Sequence, residues 1–256
     1  MAGIRQGGGV DILFRFNDDG NYYIYPLPGI TTTYSSITAD RVTGDRFYAS
    51  KPGGGVDLIS VVGGSYVATQ VWSGTYGALA ASKPQDPPTT TDRVWATPPT
   101  AGPADILFYY QGAYGTYTVP WTNTNPATSW SALTTDPVNF SDYVYAAKPA
   151  GGVDIFYSGA IFSNTWSGTY SGLAADSFTY QSIAAIKPGG GADLLTVASG
   201  AAVTTQQAEW SDTYTAITAS QVNGGQFFAA VVPEPSTYAL LLGGAAAAAL
   251  VRRRKR

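Results

Sequence analysis

Apolar and polar positions alternate along this chain over stretches of roughly four to seven residues, an ordinary strand length, and Gly, Asn, Asp or Pro separates one stretch from the next. In the first stretch Val10, Ile12, Phe14 and Phe16 share one side of a strand, while Asp11 and Arg15 take the other. Farther along, Val153–Tyr157, Ala160–Trp166, Tyr170–Ala174 and Tyr180–Ile186 follow one another as four such runs. Before residue 236 no segment shows helical 3.6 periodicity with caps. The pattern predicts an all-β body.

The runs are also repeated. A glycine-rich turn leads into an apolar strand with an aspartate at Asp11, Asp57, Asp105, Asp154 and Asp193, at intervals of 46, 48, 49 and 39 residues. A second marker follows: Tyr34, Tyr76, Trp130, Tyr170 and Tyr214 each stand six residues ahead of Asp40, Ser82, Asp136, Asp176 and Ser220. A third closes each unit, as Phe47-Tyr-Ala, Val94-Trp-Ala, Val144-Tyr-Ala, Ile183-Ala-Ala and Phe227-Phe-Ala, with Lys-Pro after it at Lys51, Lys148 and Lys187. Three markers in one order define five units, near residues 5–50, 51–97, 98–147, 148–186 and 187–231.

Units of about 45 residues with four short strands suit the blades of a propeller. Residues 5–231 are therefore expected to form a five-bladed β-propeller of four-stranded antiparallel blades. Stacked blades need apolar residues on both faces and small residues near the axis, and glycines serve the tight turns. A parallel β-solenoid usually has shorter coils, and two β-sandwich domains would not need so regular a register. The unit length varies mainly between the first and second markers and at the Lys83–Thr91 insertion, positions that read as loops on one rim. Met1–Val10 lacks the apolar core of a secretory signal, and Arg5–Asp11 already reads as the middle of a unit. The natural start is accordingly expected upstream of Met1, where further blades would find room.

Composition narrows the chemistry. The 256 residues include 34 aromatics and 30 Gly but no Cys and no His. Thiol nucleophiles, cysteine zinc sites, serine–histidine triads and zinc hydrolases are thereby excluded. The formal net charge is −3, yet five of the 14 basic residues are the last five, and up to Val232 there are 9 basic against 16 acidic residues. So acidic a body is a poor match for nucleic acid.

The end of the chain is different in kind. Pro233-Glu234-Pro235 favours an extended segment, Tyr238–Val251 is uncharged over 14 residues, and Arg252, Arg253, Arg254, Lys255 and Arg256 follow. As a helix the uncharged stretch is about 21 Å long, short for a hydrocarbon core of about 30 Å. A start at Ser236 with snorkelling arginines would extend it, the cationic end staying cytoplasmic. Physically this reads as an anchor helix or a loosely packed terminal helix. The three-part arrangement closely resembles the PEP-CTERM sorting signal of Gram-negative bacteria. That resemblance implies recognition by an exosortase, with Pro233, Glu234, Pro235, Arg252, Arg253 and Arg254 as sorting rather than catalytic residues. It also implies export, transient anchoring in the inner membrane through residues 232–256, and delivery to the cell surface or extracellular matrix, usually in species that make exopolysaccharide.

The body offers two candidate sites. The five aspartates Asp11, Asp57, Asp105, Asp154 and Asp193 would hold Ca²⁺ if they faced the axis as a ring. An Asp after a glycine turn serves more simply by fixing the strand entry, and five close carboxylates would repel one another. No cofactor is expected. Asp40, Asp136 and Asp176 interchange with Ser82 and Ser220, which suits a turn cap. Trp72, Trp166 and Trp210 recur in Trp-Ser-Gly/Asp-Thr-Tyr segments and suit packing between blades. Trp121 and the cluster Tyr109, Tyr110, Tyr114 and Tyr117 lie outside the pattern and are freer to meet a sugar. The expectation is a non-enzymatic exported surface protein that binds or scaffolds polysaccharide. The alternative is a propeller glycoside hydrolase with paired carboxylates, although Glu is limited to Glu209 and Glu234.

Overall fold

The computed structural model describes residues 2–4, 8–15, 22–40, 46–82, 93–119, 129–136, 143–157, 160–176, 182–198, 201–207, 212, 214–219 and 227–231. Every regular element in them is a strand. An N-terminal sheet comprises β1 (Ala2–Ile4), β2 (Val10–Arg15) and β3 (Tyr22–Pro26). The second sheet comprises β4 (Ser36–Ala39), β5 (Phe47–Ser50), β6 (Val56–Val62) and β7 (Ser65–Trp72). The third holds β8 (Ala78–Ser82), β9 (Arg93–Thr97), β10 (Asp105–Tyr110) and β11 (Ala113–Thr118). The fourth holds β12 (Ala132–Thr135), β13 (Val144–Ala147), β14 (Val153–Tyr157) and β15 (Ala160–Trp166), and the fifth β16 (Gly172–Ala175), β17 (Ser182–Ile186), β18 (Ala192–Ala198) and β19 (Ala201–Gln207). A C-terminal pair, β20 (Tyr214–Ala219) and β21 (Phe227–Val231), ends the described fold.

Each sheet is an antiparallel meander whose strands follow chain order outward from the inner strand. The inner strands lie side by side: β4 against β8, β8 against β12, β12 against β16 and β16 against β20. Hydroxyls join them where backbones approach. The Leu79 N–H donates to Ser36 Oγ and the Ala81 N–H to Thr38 Oγ1, both at 3.0 Å, and Thr135 Oγ1 donates to the Ala81 carbonyl at 2.6 Å. Only small residues let the sheets come this close, so the alanines and threonines of the inner strands mark the axis. Between sheets lie the apolar seams, such as Tyr145, Trp166, Leu173 and Ile183 between the fourth and fifth.

Sequence and structure use different boundaries for one repeat. A sequence unit supplies the outer two strands of one sheet and the inner two of the next. Five units therefore give four complete four-stranded sheets, with the remaining strands divided between the N-terminal sheet and the C-terminal pair. The register of the three inner strands is the same in every complete sheet. An inner-strand Leu or Ile stands opposite an Ala, which stands opposite the aspartate: Ile37–Ala49–Asp57, Leu79–Ala96–Asp105, Leu133–Ala146–Asp154 and Leu173–Ala185–Asp193. The small Ala leaves the aspartate reachable by longer side chains.

The strands Val153–Tyr157 and Ala160–Trp166 coincide with the runs read from sequence, whereas β16 starts at Gly172 rather than Tyr170. Tyr170 instead turns into the core, 1% exposed. The C-terminal hydrophobic helix expected after residue 236 lies outside the described residues.

Candidate functional site

In the four complete sheets the repeated aspartate is fastened in place by two partners. Tyr34 Oη donates to Asp57 Oδ2 at 2.9 Å while Lys51 Nζ donates to Asp57 Oδ1 at 2.7 Å. In the fifth sheet Tyr170 meets Asp193 Oδ2 at 3.0 Å and Lys187 meets Oδ1 at 2.9 Å. In the fourth sheet Lys148 takes Asp154 Oδ1 at 2.8 Å and the Trp130 indole N–H approaches Oδ2 at 3.4 Å. The lysine, six residues before its aspartate, is aimed by the glycine turn: the Lys148 N–H bonds the Gly152 carbonyl and the Gly151 N–H bonds the Lys148 carbonyl. Gly151 and Gly152 hold φ of 99° and 98°, a region closed to most side chains. Each of these buried carboxylates is thus paired with a cation and with a phenol or indole.

The phenols respond in turn. Burial first, then the hydrogen bond to aspartate and its charge, raises Tyr34, Tyr76 and Tyr170 above their ordinary 10.0. They remain protonated donors well into alkaline solution.

Two tryptophans close the outer ends of seams. Trp72 Nε1 donates to the Gly115 carbonyl on the next sheet's outer strand at 2.9 Å, and Trp166 Nε1 donates to the Val203 carbonyl at 3.2 Å. Each also meets a buried tyrosine ring, Tyr48 at 5.4 Å and Tyr145 at 6.2 Å between centroids.

The third sheet keeps the tyrosine–aspartate bond but lacks the lysine and the tryptophan. Pro99 stands where the lysine belongs, and Asp105 is held by Tyr76 Oη at 2.8 Å and Thr118 Oγ1 at 2.7 Å. Val119 bonds the Ala104 carbonyl at the place where Trp72 and Trp166 pair with their own sheets. Here β10 and β11 carry the tyrosine cluster, and register divides it between two faces. Tyr109 opposes Tyr114 on one face, whereas Ile106–Tyr117 and Phe108–Gly115 share the other with Tyr110. Tyr114 meets Tyr109 at 4.7 Å and stands edge-on to Trp72 at 5.1 Å, so the first face is mostly seam packing. Tyr110 and Tyr117 on the second are 47% and 53% exposed. Between them Phe108 lies over Gly115, where an added Cβ would come within 2.4 Å of the ring.

The structure therefore separates residues that the sequence grouped. Asp57, Asp105, Asp154 and Asp193 sit in different sheets, each held in its own sheet, and among the described residues no three acidic groups gather as a metal site. Asp11 lies on β2, half-buried and engaged. Asp136 and Asp176 end inner strands, buried, with their N–H groups on the Tyr143 and Ser182 carbonyls. Trp121, Pro233, Glu234, Pro235, Arg252, Arg253 and Arg254 lie outside the described residues. The aspartate's partners, Lys51, Lys148 and Lys187, were signalled by their constant six-residue lead, but spacing did not say which groups they would meet.

Residues 231–255 match the family described as the PEP-CTERM protein-sorting motif, which indicates an exosortase-sorted, exported protein of the cell envelope. No curated protein matches the chain significantly. Among solved structures, the Cps50 (Swd1) β-propeller domain of Myceliophteria thermophila is similar, with 14% identity and a TM-score of 0.53 over 77% of this chain and 62% of that one. AztD of Citrobacter koseri, in its apo form, aligns at 13% identity and a TM-score of 0.46, over 83% of this chain and 61% of that one. The first of these similarities supports a propeller fold; the chain spans about 62% of its length.

Proposed function

We propose that this chain is a non-enzymatic, exosortase-sorted propeller that reaches the surface of a Gram-negative cell and binds exopolysaccharide there. The uncharged stretch within residues 232–256 holds the chain transiently in the inner membrane until processing near Pro233-Glu234-Pro235. The body then presents the Tyr110–Tyr117 face of the third sheet to polysaccharide. What carries this reading is the coincidence of departures on one sheet. The second and fourth sheets use a lysine and a tryptophan for assembly, and the third has Pro99 and Val119 in their places while exposing two tyrosines. Tyrosine suits a glycan because its ring stacks on the apolar face of a sugar and its hydroxyl bonds the rim. The repeated aspartates Asp57, Asp105, Asp154 and Asp193 favour a binding role over hydrolysis, since each is already engaged in the fold.

The test is retention of the purified protein on exopolysaccharide from a producing strain. Wild type is expected to be retained and Tyr110→Ala/Tyr117→Ala to pass through while melting at the same temperature. Equal retention of both, or release of reducing sugar by the wild type, overturns the proposal.

A further inference from the structure

We infer, on the polysaccharide reading above, that the Tyr110–Tyr117 face is one wall of a gap between the outer ends of the third and fourth sheets, and that this gap takes an uncharged glycan strand rather than an acidic one. The gap follows from what each outer strand holds on to. Trp72 ties β11 to the second sheet through the Gly115 carbonyl, and Trp166 ties β15 to β19 through the Val203 carbonyl. The seam between those two ties has Val119 where the indole belongs. Accordingly β7 lies against β11 and β15 against β19, while β11 and β15 make no comparable contact among the described residues. Gly77 likewise stands where Ser35 and Ser131 each donate a hydroxyl to a carbonyl at the entry to the next sheet.

Aromatic residues collect on the side left open. Ile106 packs with Trp95 against the fourth sheet, and Tyr117 opposite it, with Phe108 and Tyr110 farther along the strand, shares that side. At the matching positions the second sheet has Ser60, Val62 and Thr69, and the fifth has Thr196, Ala198 and Thr205. Charge then sets the class of sugar. Neither β11 nor β15 carries a charged residue. Arg93, opposite Phe108, is half-buried and already engaged, and Asp105 is held by Tyr76 and Thr118. Among the described residues the gap thus offers a uronate or sulfate no cation to spare, and a body with 9 basic against 16 acidic residues up to Val232 repels a polyanion. An uncharged sugar needs only ring faces and phenol hydroxyls, which Phe108, Tyr110 and Tyr117 supply.

Exopolysaccharide from a producing strain is divided by anion exchange into an uncharged and an acidic fraction, each is immobilised, and retention of the full chain is measured at low ionic strength. The uncharged fraction is expected to retain the protein and the acidic one to let it pass. Val119→Trp supplies the missing indole and is expected to lose retention with both tyrosines in place. Should that variant not fold, Ile161→Cys, opposite Phe156 in register, carries a bulky maleimide on β15. That label is expected to block retention, whereas the same label at Val67→Cys on β7 leaves it intact; the chain has no cysteine of its own. Tyrosine-dependent retention on the acidic fraction, or unchanged retention by the folded Val119→Trp or the labelled Ile161→Cys protein, overturns the inference and leaves the polysaccharide reading standing. Passage of the wild type through both fractions overturns that reading as well.

Discussion

The third and fifth sheets are built from copies of the same repeat and have the same four-strand topology, yet they are held in different ways. In the fifth, Asp193 is clamped between Lys187 and Tyr170, and Trp166 reaches from the fourth sheet to the Val203 carbonyl. In the third, Asp105 is held by the hydroxyls of Tyr76 and Thr118, Val119 takes the tryptophan's place, and Tyr110 and Tyr117 face solvent. A repeat architecture asks each copy for the same few contacts. A copy that gives them up is more weakly assembled, and its side chains are released for other contacts. The inner half of the third–fourth seam compensates with Trp95 and Trp130, both buried, Trp130 standing edge-on to Phe156 at 5.5 Å.

The comparison can be broken by mutation. Truncating Trp166 to Ala removes a buried indole and its bond and is expected to cost about 4 kcal/mol in urea denaturation. A loss below half of that would show that the fourth–fifth seam is not anchored there. Replacing Asp193 by Ala strands Lys187 and should cost about 3 kcal/mol, against about 1–2 kcal/mol for Asp105→Ala, where only hydroxyl bonds are lost. Equal losses would erase the distinction between the two sheets. Trp72→Phe keeps most of the packing but not the bond to Gly115 and is expected to cost about 1 kcal/mol.

Alkaline pH probes the same clamp more gently. The folded-state values of Tyr34, Tyr76 and Tyr170 lie above the unfolded 10.0, so their stabilisation is complete below pH 10 and is lost as pH rises through the folded values. Tyr170→Phe should lose stability less steeply above pH 10 than wild type, read from melting curves across the range. The smallest effect is expected from Tyr117→Ala, within about half a kcal/mol of wild type because its side chain is exposed; a large loss would make it a packing residue.

Much of this was legible in advance. Periodicity two fixed the strands, and the five-fold markers announced the repeated sheets, because identical local needs recur in every blade. The division of the tyrosine cluster was not legible. Tyr109, Tyr110, Tyr114 and Tyr117 look equivalent in sequence, and only the pairing of β10 with β11 turns Tyr109 and Tyr114 toward Trp72 and the other two outward. Nor do the described aspartates gather as a ring, for a similar reason: equivalent positions on radially arranged sheets lie far apart unless their side chains reach the axis, and these reach lysines, hydroxyls and aromatics, the structural role expected of them.

By itself the sequence determined which residues must be strand, turn and tail, because backbone propensity, glycine's access to positive φ and the charge pattern of the sorting segment act locally. Tertiary structure decided which carboxylate meets which cation and which aromatic is left uncovered. Those outcomes depend on the register of adjacent strands and the approach of neighbouring sheets, distances that no single segment encodes.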